Sequence, residues 1–137
     1  MSADPLRRIL LVEDDLDIQA VIQLSLEMNG GFTVATCARA SQALDLARSF
    51  GPDLILLDVM MPDLNGPALL GAMRQDPDLA GIPAVFLTAK SLDEDPWLER
   101  LPGVLARISK PFDPQELVPA LLRIWAGRVR DPGSPRP

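Results

Sequence analysis

The stretch Arg8-Ile9-Leu10-Leu11-Val12-Glu13-Asp14-Asp15 is a short apolar run that stops abruptly in three acids. Four to six apolar residues without helical spacing mark a strand covered on both faces. Runs of the same kind recur along the chain, separated by segments of helical periodicity. They predict strands at 9–13, 33–37, 54–58, 83–87 and 104–109. Between them, Ile18, Val21, Ile22 and Ser25 recur at helical spacing after Asp17, and Ser41 opens a second helix carrying Ala43, Leu44, Ala47 and Phe50. A third helix follows Asn65-Gly66 with Leu69, Leu70 and Met73 inward. The last opens at Asp113-Pro114-Gln115-Glu116, where Asp caps, Pro suits the first turn and Glu can reach back. Its inward face is Leu117, Leu121, Ile124 and Trp125. Strands alternating with helices imply right-handed crossovers and a parallel sheet, so the fold class is α/β, a doubly wound five-stranded parallel sheet.

The 137 residues suit one domain, with 47% apolar and 23% charged residues in the balance of an ordinary globular protein. We expect the domain to span residues 1–128 and residues 129–137, rich in proline, to form a disordered tail. No apolar run reaches the ~20 residues of a membrane span, and the N-terminal stretch Met1-Ser2-Ala3-Asp4-Pro5-Leu6-Arg7-Arg8 lacks the apolar core of a signal peptide. A cytoplasmic location with no membrane partner is expected. Cys37 is the lone cysteine, so no internal disulfide can form, and its apolar surroundings suit a buried structural thiol. The formal charge of −6 argues against direct contact with nucleic acid, which is bound mainly by Lys and Arg. There is no histidine, which removes Ser/His/Asp catalysis, imidazole metal sites and a role as phosphohistidine carrier. Acidic chemistry remains.

In an open doubly wound sheet, ligands sit beyond the carboxyl ends of the strands where the strand order reverses. Glu13, Asp14 and Asp15 end strand one, and Asp58 ends strand three. If those strands are neighbours, the carboxylates converge on one cleft and repel each other unless something positive lies between them. A hard divalent cation such as Mg²⁺ answers this with oxygen ligands. The plainer alternative is that Asp14 and Asp15 merely cap the first helix. Asp58 ends the run Leu54-Ile55-Leu56-Leu57, which makes it a candidate nucleophile. Thr88 ends strand four and Lys110 ends strand five. The lysine can stabilise charge on a transferred phosphoryl group, and the hydroxyl can bond one of its oxygens. Singly, each is an ordinary strand-end or surface residue; together they ring one site.

These motifs, in this order, resemble the response-regulator receiver domain of two-component signalling over residues 8–128. Ile9-Leu10-Leu11-Val12-Glu13-Asp14-Asp15 resembles its first strand and acid pair, with Glu13 and Asp14 aligned to the pair. Leu57-Asp58-Val59-Met60-Met61-Pro62 resembles the phosphoacceptor segment, and Gly66 the glycine of the next loop. Thr88-Ala89 and Lys110-Pro111-Phe112 resemble the switch position and the lysine with its proline. The resemblance implies a flavodoxin-like receiver fold with strand order 2-1-3-4-5. It further implies a phosphoryl group taken onto Asp58 with help from Lys110 and Thr88. Mg²⁺ would be ligated by Asp14, Asp58 and the backbone carbonyl of Met60, with Glu13 acting through water. The donor would be a sensor histidine kinase or a histidine phosphotransfer protein, and the readout a downstream protein target. Such a domain is a switch rather than an enzyme, whether it regulates a target or shuttles phosphate.

Two features depart from that pattern. Three residues before Lys110, where receivers usually carry an aromatic, stands Arg107, for which acidic partners Asp93, Glu94, Asp95 and Glu99 lie nearby in sequence. Pro96 and Pro102 fall within a fourth helix expected over 91–103, and Pro119 is expected to interrupt the last helix. Three other readings share the sheet. A flavin binder needs a Ser/Thr/Gly-rich loop where Glu13-Asp14-Asp15 stands. An aspartyl-phosphate phosphatase needs a second acid two residues after Asp58, where Met60 stands. A receiver-like interaction module that no longer takes phosphate would have lost site residues that are all present here.

Overall fold

The computed structural model describes residues 5–59, 66–89, 100–110 and 112–129. Within them run β1 (Arg8–Val12), β2 (Thr33–Cys37), β3 (Leu54–Asp58), β4 (Ala84–Ala89) and β5 (Val104–Lys110). All pair in parallel, in the order β2-β1-β3-β4-β5. The chain reverses direction of winding at β1, so β1 and β3 lie side by side and their carboxyl ends form one rim. This is the order that the resemblance implied.

Strand residues alternate between two packed layers. Leu10, Val12, Ile55, Leu57 and Phe86 face α2 (Ala40–Phe50) and α3 (Gly66–Arg74), against Ala43, Ala47, Leu69, Leu70 and Met73. Ile9, Leu11, Leu54, Leu56, Val85 and Leu87 face α1 (Leu16–Gly30) and α4 (Pro114–Val129), against Ile22, Leu26, Leu117 and Leu121. With helices on both faces, every position of a central strand is buried, which is why these strands read as unbroken apolar runs. Each buried Leu or Ile contributes roughly 1.5–3 kcal/mol by leaving water.

Local chemistry sets the element ends. Asp15 caps α1, its side chain accepting from the N–H groups of Asp17 and Ile18, so the helix begins at Leu16 rather than after Asp17. The helix stops at Gly31, whose φ of 67° suits a residue without Cβ and whose N–H bonds the Glu27 carbonyl at 3.1 Å. Val21, expected on the inward stripe, is 46% exposed, and Leu26 fills that place beside Ile22. β1 is shifted by one residue from the expected span, although the Glu13 N–H still reaches the Cys37 carbonyl at 3.1 Å. β4 begins at Ala84 because Pro83 has no N–H to give, while the Pro83 carbonyl accepts from Ile55 at 3.0 Å. Cys37 is buried, as expected.

Pro119 does not interrupt the last helix; α4 runs through it to Val129. A proline inside a helix costs about 3 kcal/mol. Leu117, Val118 and Leu121 are buried on the sheet and α1, and three such side chains contribute roughly 1.5–3 kcal/mol each. Packing therefore outweighs the lost hydrogen bond. At the helix start, Asp113 Oδ1 accepts from the Gln115 N–H at 2.9 Å, with Pro114 in the first turn. Most of the helix expected over 91–103, Pro96 included, lies outside the described residues, as do 130–137. No described helix is long and apolar enough to cross a membrane.

Candidate functional site

The strands of the rim carry their polar site residues at or beside their carboxyl ends. β1 ends at Val12 and delivers Glu13 and Asp14; β3 ends on Asp58 itself; β4 carries Thr88 one position before its end; β5 ends on Lys110. The registers Thr88 with Ser109 and Asp58 with Leu87 hold these ends level. Glu13 and Thr88 are fully buried, and Asp58 is 6% exposed.

Carboxylate oxygens of Glu13, Asp14 and Asp58 lie within 4.8 Å of one another. Lys110 Nζ is 2.8 Å from Glu13 Oε1 and 3.5 Å from Asp58 Oδ1. The lysine thus bridges two strands. Burial works to lower the pKa of Lys110, but the Glu13 and Asp58 carboxylates outweigh it, and the net shift is upward. The ammonium stays charged. Glu13 Oε2 is held by the Asp15 N–H at 3.2 Å. Asp15 itself turns away to cap α1, so one of the three consecutive acids is a cap and two face the cleft.

Thr88 Oγ1 is buried and has no hydrogen-bond partner among the described residues. An unpaired buried hydroxyl costs about 1–3 kcal/mol, so a site that keeps one is arranged for something else. Gly66 opens α3 against the same rim: its N–H bonds the Val59 carbonyl at 2.7 Å, and a Cβ there would meet the Asp58 carbonyl. All five site side chains named from the sequence, Glu13, Asp14, Asp58, Thr88 and Lys110, stand at the one rim. Met60 and Pro111 lie outside the described residues, as do Asp93, Glu94, Asp95 and Glu99. Arg107 stands in β5 opposite Phe86, half-buried.

The donor set suits a hard divalent cation. Three carboxylates offer oxygen ligands, and Lys110 offsets one of their charges, which leaves two for a metal such as Mg²⁺ to match. Gln19 was not among the residues singled out from the sequence, yet its side-chain Nε2 donates to the Glu13 carbonyl at 3.0 Å. A polar residue one turn into α1, on the side nearest the acids, was the only signal for it.

Known proteins share the sequence pattern and fold of this chain. The family described as the response regulator receiver domain matches residues 9–122. Response regulator Rre1 of Synechocystis sp. is 37% identical over 115 residues, which are 84% of this chain and 49% of that protein. The DNA-binding response regulator MtrA of Mycolicibacterium paratuberculosis is 39% identical over 112 residues, 82% of this chain and 48% of that protein. The chain therefore spans about half the length of these relatives. The high-resolution structure of the chemotaxis response regulator CheY4 of Vibrio cholerae superposes with a TM-score of 0.78 at 28% identity, covering 88% of this chain and 99% of that one. From the fold, the ordered motifs and these matches, the chain belongs to the response regulator receiver domain family.

Proposed function

We propose that this domain accepts a phosphoryl group on Asp58 from a phosphohistidine of a sensor histidine kinase or histidine phosphotransfer protein, and that the modification changes its binding to a downstream protein. The observation that supports this reading best is the pairing of a lysine shared by Glu13 and Asp58 with a buried, unbonded Thr88 hydroxyl. In the transfer, an Asp58 carboxylate oxygen attacks phosphorus, the P–N bond breaks, and the bond pair leaves with the imidazole. Lys110 lies where it can hold negative charge on the phosphoryl oxygens, and Thr88 can donate to one of them. Glu13, Asp14, Asp58 and the Met60 backbone carbonyl would hold Mg²⁺, which when bound supplies positive charge to the incoming phosphoryl group.

The domain acts as a switch and not as an enzyme with turnover of its own, in the cytoplasm and away from membranes. Nucleic-acid binding is named for the relative MtrA, which is about twice as long; for this chain, a formal charge of −6 favours protein partners over DNA. The test is modification by acetyl phosphate, or by beryllofluoride as its mimic, followed by mass spectrometry and amide NMR. Asp58 should be modified only when Mg²⁺ is present. Equal labelling of Asp58→Ala, or labelling that survives EDTA, overturns the assignment.

A further inference from the structure

At the end of β1 the sheet no longer serves the chain: the Glu13 N–H makes the last bond to β2, on the Cys37 carbonyl. Glu13 is fully buried, so its own carbonyl needs a partner that the ladder does not offer. That partner is the Gln19 side chain, donating at 3.0 Å from α1. The Gln19 N–H in turn bonds the Asp15 carbonyl at 2.8 Å, and the Asp15 N–H bonds Glu13 Oε2 at 3.2 Å. The three residues therefore close a ring, from Glu13 to Asp15 to Gln19 and back. It ties both the backbone and the carboxylate of Glu13 to α1.

We propose that Gln19 is a positioning residue for the acidic rim: its amide fixes the backbone of Glu13 and thereby where Glu13 and Asp14 present their carboxylates to a divalent cation. The inference rests on the reading that this rim holds Mg²⁺. Without the amide, a buried carbonyl is left unpaired, and the turn that carries both acids can relax toward water. Glu13 would shift, and with it the ammonium of Lys110, 2.8 Å away. Partners that orient metal ligands without touching the metal typically contribute 10–100-fold to affinity.

Gln19→Met keeps the length and bulk of the side chain and removes its N–H. Gln23→Met serves as control, since the Gln23 side chain bonds along α1, to Glu27 Oε2 at 3.1 Å, and does not reach Glu13. In metal-free protein, Gln19→Met should move the amide resonances of Asp14 and Asp15 well beyond the change in Gln23→Met. Calorimetric titration with Mg²⁺ should then show affinity about tenfold weaker in Gln19→Met and unchanged in Gln23→Met. A role limited to stabilising α1 would lower the urea midpoint of both variants and leave the Mg²⁺ affinity of the folded protein at the wild-type value. Resonances of Asp14 and Asp15 that stay in place overturn the proposal, whether or not metal binds. Wild-type protein that takes up no Mg²⁺ would instead strike down the metal reading, while the metal-free resonances still decide the role of Gln19.

Discussion

The Lys110 ammonium lies closer to Glu13, at 2.8 Å, than to Asp58, at 3.5 Å. The lysine therefore leans on the fully buried acid and leaves Asp58, the proposed acceptor, the less tightly held of the pair. Breaking a buried ion pair by removing one partner costs roughly 3–5 kcal/mol. A fifth of the Lys110 side chain is exposed, so about 1–2 kcal/mol is the better figure here. Lys110→Met should lose that much stability in urea titrations without metal and regain part of it when Mg²⁺ is added. Labelling of Asp58 by acetyl phosphate should slow by roughly 100-fold, the usual effect of removing one charge-stabilising donor.

Thr88 makes the opposite prediction about stability. Its buried hydroxyl bonds nothing among the described residues, so Thr88→Val exchanges an unsatisfied polar group for a methyl of similar shape. The variant should be more stable than wild type by about 1 kcal/mol, read as a raised melting temperature. It should still take up phosphate, as should Thr88→Ala, yet lose much of the conformational response. Beryllofluoride-induced NMR shifts of wild-type size in either variant would contradict the role given to Thr88.

Two glycines of α3 should respond in opposite ways to the same change. A Cβ at Gly66 meets the Asp58 carbonyl, whereas one at Gly71 meets nothing. Gly66→Ala should destabilise by about 1–3 kcal/mol through overpacking and slow labelling of Asp58 by displacing it. Gly71→Ala should stabilise by about 0.5–1 kcal/mol through helix propensity and leave labelling unchanged. Chemical denaturation of the two variants side by side checks both.

Far from the rim, Asp76 accepts from the Asp78 N–H at 2.9 Å and from Arg48 Nη2 at 2.6 Å. The Asp78 N–H first, and the Arg48 guanidinium second, hold the Asp76 carboxyl below its ordinary value of 3.8. A depressed carboxyl stabilises the fold above that value, and the contribution fades as pH falls through the lower one. Asp76→Asn should therefore be less stable than wild type at neutral pH, and the two curves should converge below pH 3.8. Melting temperatures measured between neutral and strongly acid solution test this.

The central strands were legible because a doubly covered sheet demands continuous apolar runs: Leu54–Asp58, buried throughout, falls where it was expected, as does the half-exposed edge strand Thr33–Cys37. That Glu13, Asp14, Asp58 and Lys110 gather at one rim was legible because strand ends are where such a sheet turns polar. What sequence could not supply were relationships that depend on distance. Nothing in the composition of α1 says that Gln19 folds back onto Glu13, or that Lys110 prefers Glu13 to Asp58. Val21 misled because helical spacing alone does not say which flank of a stripe a neighbouring helix will cover. Pro119 misled because a local penalty was judged without the packing that offsets it. The expected acidic partners of Arg107, namely Asp93, Glu94, Asp95 and Glu99, lie outside the described residues.

The rim unites residues from almost the full length of the chain, Glu13 from the end of its first strand and Lys110 from its last. Synthesis makes the three acids long before it makes the lysine. A nascent chain that has already paired β1 with β3 would hold repelling carboxylates together with no ammonium between them, and that repulsion opposes premature closure of the rim. Docking of β5, which stands at the sheet edge beside β4, relieves it. On the proposed reading, competence to accept a phosphoryl group arrives only with the last strand of the sheet to be made.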